Sequence, residues 1–231
     1  MTCDNSVARS LEIIGGVSDP SKMPCYGYSI PAEHCLLGSR LRDISGSTCS
    51  DCYARKGTYR FPSTVKAMDR RYAILRKALA NKARRIEYIG AFAYLLDYRL
   101  KRQRADYVGD HNARYFRWHD SGDLQSVAHL GLIARVAELS PGVSHWLPTR
   151  EKRIVRAFTD RYDVPDNLTI RLSDTRVDAR PDITATLPTS GVHSTTDPGD
   201  TACPAPSQNG ACGDCRRCWN RFETRISYQL H

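Results

Sequence analysis

The sequence predicts a mixed α/β fold built on a parallel sheet. Three observations carry that expectation. Short apolar runs of strand length recur through the middle of the chain, amphipathic stretches of helix length separate them, and proline, glycine or polar clusters mark the joints. Strands joined by helices of that length imply right-handed crossovers, and hence parallel pairing.

Taken in order, residues 22–30 read as a short strand leading into the loop that carries the first clustered cysteines. Val65, Met68, Tyr72, Leu75 and Leu79 then fall three and four residues apart, as do Ile86, Ile89, Ala93, Leu96 and Leu100. Those spacings predict two amphipathic helices, the first opened by Pro62-Ser63. Residues 114–118 form the next strand, followed by a polar turn and a helix from Leu124 to the neighbourhood of Leu139, which Pro141-Gly142 ends. Residues 143–147 are strand-like, residues 151–162 helical, and Pro165 breaks the chain before a strand at 168–172. From Ser173 the pattern weakens to loops with one or two short strands, and the cysteine-rich C-terminal stretch reads as loop that depends on metal for its order.

The length of 231 residues suits one domain, or a domain with a small appendage, and an apolar fraction of 41% is enough for a core. No stretch approaches the ~20 apolar residues that a membrane span needs, so no membrane partner is expected. The opening residues Met1-Thr2-Cys3-Asp4-Asn5 lack the basic and apolar regions of a secretory signal. The expected location is the cytoplasm. Thirty-four Lys and Arg against 25 Asp and Glu leave a net charge of +9, much of it arginine at Arg84-Arg85, residues 99–104 and Arg216-Arg217. Such a balance favours a polyanionic partner such as nucleic acid, or is simply a solvated helix face.

The nine cysteines are grouped. Cys35, Cys49 and Cys52 form one set, and Cys203, Cys212, Cys215 and Cys218 another, while Cys3 and Cys25 stand apart. An odd count without an export signal argues against a disulfide framework, and close spacing in a reducing compartment points to metal. Three cysteines in two successive CxxC steps, with a remote Cys203-Pro204, parallel the ferredoxin pattern for a [4Fe-4S] cluster, the alternative being a four-thiolate zinc. The first set offers only three thiolates, which on a four-iron cluster leave one iron open, unless Cys25 or His34 closes the site or zinc occupies it. Cys3 and Cys25 are otherwise free thiols.

Two resemblances follow from these residues. Lys22-Met23-Pro24, Ser29-Ile30-Pro31-Ala32, Cys35, Gly46-Ser47, Cys49 and Cys52-Tyr53-Ala54 resemble the phage gene product 88 family. Residues 117–123, Trp146-Leu147-Pro148-Thr149-Arg150, Asn167-Leu168 and the stretch from Cys203-Pro204 to Trp219 look like the same family, so the similarity spans nearly the whole chain. It implies a phage-encoded protein working in the host cytoplasm. More distantly, cysteines after the first strand, a Cys-Tyr-Ala tripeptide and a Ser-Gly-acid turn after the next strand are similar to radical S-adenosylmethionine (radical SAM) enzymes. That resemblance implies a partial parallel (β/α) barrel, an open-site [4Fe-4S] cluster on Cys35, Cys49 and Cys52, and S-adenosylmethionine chelated by its free iron. Ser121-Gly122-Asp123 would take the place of the superfamily's acidic turn at the cofactor's amino group. The chain departs from that pattern in spacing: thirteen residues separate its first two cysteines, where the superfamily has three.

The remaining candidates border the strand ends. His119 could move protons, and Asp120 and Asp123 could bind a cation or ammonium group, although Ser121-Gly122-Asp123 also reads as a helix start. Thr149, Arg150, Arg171 and Ser173 are candidate cofactor-binding residues. Both arginines suit carboxylate or phosphate, or alternatively pair internally with Asp120, Asp123 or Asp174. Trp118, Trp146 and Trp219 are expected in the core or shielding a cluster. The expectation is therefore a radical-SAM-like partial barrel over residues 1–190, with a cysteine-rich metal-binding appendage over 191–231. It would hold two [4Fe-4S] clusters, the second auxiliary, with an electron donor and a small-molecule or nucleic-acid substrate as partners.

Overall fold

The computed structural model describes residues 6–103, 112–182 and 184–230. The expectations stated for the first five residues, Cys3 among them, and for Arg104 lie outside these. Six strands, β1 (Gly27–Tyr28), β2 (Tyr115–Trp118), β3 (Ser144–Thr149), β4 (Leu168–Val177), β5 (Thr189–His193) and β6 (Arg225–Gln229), form one sheet in that order, every pair parallel. The helices are α1 (Val7–Ile14), α2 (Leu36–Leu41), α3 (Pro62–Ala80), α4 (Lys82–Arg102), α5 (Val127–Glu138) and α6 (Lys152–Thr159). Among the described residues no helix is long and apolar enough to cross a membrane.

Local sequence explains most of the boundaries. Ser6, Asn81 and Ser126 cap α1, α4 and α5 by accepting the backbone N–H three residues on, and Pro62 opens α3 where its missing N–H costs nothing. Gly15 ends α1 with φ of +80°, packed so closely on Arg71 that a side chain there would crowd its Cα at 3.1 Å. The Asn167 amide donates to the carbonyls of Ala137, Ser140 and Val143, fastening the end of α5 and the turn after it to the start of β4.

Alternation along the strands divides the molecule into two apolar clusters. Phe116, Trp118, Leu147, Leu168 and Ile170 face the helices, where they meet Leu75, Tyr88, Phe92, Leu130, Ile133 and Phe158. Aromatic rings dominate this core, with Phe92 4.8 Å from Trp118 and Phe116 5.0 Å from it. Tyr115, Trp146, Ile226 and Tyr228 sit in a second cluster with Met23, Cys25, Cys203, Cys218 and Trp219. The cysteine-bearing C-terminal stretch is therefore laid against the sheet face opposite the helices.

That stretch is also part of the sheet. The expected boundary between residues 190 and 191 falls inside β5, and β6 extends the sheet beyond the cysteines, so Cys203 to Cys218 occupy the connection between the last two strands. Of the periodic set expected on α4, Ala93 and Leu96 are buried and Ile89 and Leu100 pack against the core, while Ile86 is 62% exposed and the buried face widens to Tyr88, Phe92 and Leu95.

Candidate functional site

The first three cysteines gather at the carboxyl ends of the central strands. Cys35 follows a single helical turn, Ala32–His34, and caps α2, while Cys52 precedes the turn Tyr53–Arg55. The loop between them is tied to the far end of β4: Thr48 donates its N–H to Thr175 O at 3.0 Å and its hydroxyl to Asp174 O at 2.9 Å. Ser47 folds the loop on itself, donating to Leu41 O and accepting from the N–H groups of Cys49 and Ser50. These bonds bring Cys35 and Cys49 to one point. A methyl group on Gly38 would stand 3.5 Å from Cys49 Sγ and 3.6 Å from Cys35 Sγ. Burial pushes the Cys35 and Cys49 thiols up, and the neighbouring thiols, Cys52 included, push further in the same direction while Arg150 opposes them.

Arg150 reaches this group from the end of β3, its Nε donating to Thr48 Oγ1 at 2.9 Å. The expected ion pairing of its side chain is replaced by a backbone role, since Asp123 Oδ2 accepts the Arg150 N–H at 2.9 Å. Asp123 Oδ1 accepts from the Thr149 hydroxyl at 2.5 Å and from Leu124 N–H at 2.7 Å. Asp123 is buried, and burial raises its pKa against those three hydrogen bonds. Gly122 has φ of +81°, and a Cβ there would lie 2.8 Å from Ile30 O and 2.2 Å from Ile30 Cγ1, so only glycine fits the turn. Ser121 is buried, its hydroxyl without a hydrogen-bond partner among the described residues, and its carbonyl accepts from Ile30 N–H.

Asp120 is held by Ser18 Oγ at 2.8 Å and Tyr59 Oη at 3.3 Å, and its carbonyl accepts from Tyr53 Oη at 2.6 Å. His119 adopts φ of +54° and is buried edge-on to His129, with neither ring nitrogen hydrogen-bonded among the described residues. Burial and the His129 ring hold its pKa well below the ordinary range, so it is neutral at physiological pH.

Two candidates lie elsewhere. Arg171 is fully buried and donates to four carbonyls, those of Thr189, Glu223, Arg217 and Asn220, which pins the C-terminal stretch to the sheet. Ser173 Oγ bonds Ser190 Oγ at 3.1 Å, bridging β4 and β5.

The second cysteine set lies on the sheet face opposite the helices, anchored by Cys203 N–H to Ser227 O at 2.8 Å and by Cys212 N–H to Lys22 O at 3.1 Å. The four thiols are within electrostatic reach of one another: Cys203 and Cys215 raise Cys212, and Cys203 and Cys212 raise Cys218, which burial pushes up to about 12. Trp219 seals the set, its indole donating to Phe116 O at 3.0 Å and its carbonyl accepting from Thr169.

Two further residues take part: Cys25, which the sequence offered to the first set or left as a free thiol, and Arg117, which its strand-end position placed at the mouth of the first set. Cys25, fully buried in the same cluster as Cys203 and Cys218, joins the second set, and burial pushes its thiol up to about 12. Its position just before β1 was the available signal. Arg117 lies between the two sets, with Tyr53 on one side and Met23 on the other.

All the described cysteines are free thiols. Among the described residues no three His, Cys, Asp or Glu side chains converge on one point as the ligands of a single metal ion do. A four-iron cluster asks for something looser, because each thiolate meets its own iron and the sulfurs stand apart around an inorganic core. The soft donor set, with Cys35 and Cys49 side by side at Gly38, fits such a group.

A family model described as gene product 88 matches residues 7–221. No curated protein and no solved structure matches the chain.

Proposed function

The chain belongs to the gene product 88 family, and we propose that it is an iron–sulfur protein whose chemistry is centred on Cys35, Cys49 and Cys52. The observation that carries this reading is the meeting of Cys35 and Cys49 beside Gly38, with Cys52 within electrostatic reach of both. The strand order supports the finer reading of the sheet as a radical-SAM-like partial barrel. Parallel strands in chain order, with α1, α3, α4, α5 and α6 packed on one face, are the arrangement such a barrel is built from.

Bound by the three thiolates, a [4Fe-4S] cluster would supply an iron with an open position for S-adenosylmethionine and for one-electron chemistry. The chain's own residues prepare that position. Gly38 leaves the room, Arg150 sets positive charge beside the thiolates, and Asp123 fixes the Arg150 backbone through β2 and β3. His119 is held neutral by burial, with neither ring nitrogen hydrogen-bonded among the described residues, which leaves both free to meet a substrate. Cys203, Cys212, Cys215 and Cys218 would hold an auxiliary cluster supplied by an electron-donor protein, and the arginine excess suits a substrate carrying phosphate or carboxylate.

The test is anaerobic purification followed by iron, sulfide and zinc analysis and electron paramagnetic resonance, with and without S-adenosylmethionine. Brown protein holding iron and sulfide for two four-iron clusters, with a resonance that the cofactor perturbs, is the expected result. Iron without any cofactor effect would remove the radical assignment, and colourless zinc-loaded protein would remove the iron–sulfur reading altogether.

A further inference from the structure

Arg117 carries a half-buried guanidinium that forms no ion pair among the described residues. Its guanidinium touches neutral groups: Nη2 donates to Tyr53 Oη at 3.1 Å, Nη1 lies 3.5 Å from Met23 Sδ, and its carbon sits 4.6 Å from the centre of the Trp146 ring. Nε is buried and has no partner among the described residues. Asp120 acts on it only through space, its carboxylate being bonded to Ser18 and Tyr59. A guanidinium cannot give up its proton in a protein, and enclosing one costs several kcal/mol unless an anion compensates it. The contacts run onward towards such an anion, because Met23 Sδ is 3.9 Å from Cys212 Sγ, and Arg117 acts electrostatically on both Cys25 and Cys212.

We propose that Arg117 is the resident countercharge of the C-terminal cysteine site, which it meets through Met23, and that the anion it awaits is the metal–thiolate group. This rests on the reading of that site as metal-binding. Four thiolates carry more negative charge than one zinc ion or one oxidised four-iron core supplies in return, so the loaded site is anionic with either metal. Arg117 is a positioning residue here rather than a ligand. Through Tyr53, which follows Cys52 directly, it also ties the countercharge of the second site to the loop of the first.

The experiment uses full-length chain loaded with iron and sulfide, in the native form and with Cys35→Ala and Cys52→Ala, so that the C-terminal site is followed by itself. Loss of metal to a chelator and the midpoint potential of the cluster are compared for wild type, Arg117→Met and Arg117→Lys. Arg117→Met should release metal from the C-terminal site faster and shift its potential downward, because the lost positive charge no longer favours an added electron. Arg117→Lys, which keeps the charge, should recover most of both. Unchanged release and potential in Arg117→Met, or an equal defect in Arg117→Lys, would overturn the assignment. Should Arg117→Met fail to fold, Arg117→Gln, neutral but able to donate to Tyr53, carries the same comparison. Wild-type protein that retains no metal at either set would instead overturn the reading of the sites themselves.

Discussion

Asp123 and Thr149 are joined by a 2.5 Å hydrogen bond between the turn after β2 and the last residue of β3. With the Arg150 N–H on the other carboxylate oxygen, one side chain determines how two strand ends meet beside the first cysteine set.

Asp123→Asn should therefore destabilise the fold by about 1–3 kcal/mol at neutral pH, since an amide cannot accept on both sides. The pH dependence has a defined sign. Burial raises the folded-state pKa above the ordinary 3.8, so the carboxyl's contribution is fully present below that value and declines as pH rises through the shifted one. In urea titrations, the advantage of wild type over Asp123→Asn should be largest in acid, and an advantage that grows with pH would contradict the assigned shift.

Gly122→Ala tests the turn itself. Its Cβ would meet the Ile30 carbonyl oxygen, which is backbone and cannot rotate away, and its φ is strained for any other residue. A loss of about 3 kcal/mol or more is expected in thermal unfolding, or no folded protein.

Gly38→Ala separates site from scaffold. Alanine favours the helix by up to about 1 kcal/mol over glycine, which offsets the cost of shifting Cys35 in the metal-free protein, so its stability should change little. The added methyl would stand 3.0 Å from Cys35 Cβ and crowd both sulfurs, so iron bound at the first set should fall while the C-terminal set stays loaded. Full iron retention would show that the space beside Gly38 does not hold the cluster.

Arg171→Met should free four carbonyls that line the C-terminal stretch and cost about 3 kcal/mol, visible as easier proteolysis between β5 and β6. Arg171→Lys should rescue little, because a point charge cannot reach carbonyls spread around a planar fork.

Acid should unfold the protein through its buried imidazoles. Burial lowers His129 and His145 to about 3 from 6.5, and His145 is neutral between Trp118 Nε1 and Ser140 Oγ. For a base whose folded pKa is depressed, the unfolded chain binds the extra proton, so stability falls as pH drops below 6.5 and continues to fall towards 3. His145→Gln should reduce the slope of stability against pH by close to one proton over that window, as read from unfolding at a series of pH values.

The two long helices were legible from sequence because three-and-four spacing of apolar residues follows from helix geometry alone. How wide the buried face of α4 would be was not, since Tyr88, Phe92 and Leu95 join Ala93 and Leu96 in the core while Ile86, on the same period, stays exposed, and only the neighbours in space decide that. β6 went unseen for a related reason. Arg225–Gln229 has one buried face against the cysteine cluster and pairs with a strand more than thirty residues away, which no local pattern announces. Arg171 shows the same limit at the site: its type suits an anion, yet it is spent on carbonyls from two distant segments.

By itself the sequence determined the alternation of strands and helices and the grouping of thiols, because both depend on spacing along the chain. Tertiary structure alone decided that Cys25 joins the second set, that Arg117 lies between the two, and that Gly38 is the space beside Cys35 and Cys49. Those relationships link residues brought together only when the sheet forms, and burial then assigns each charge and thiol its surroundings.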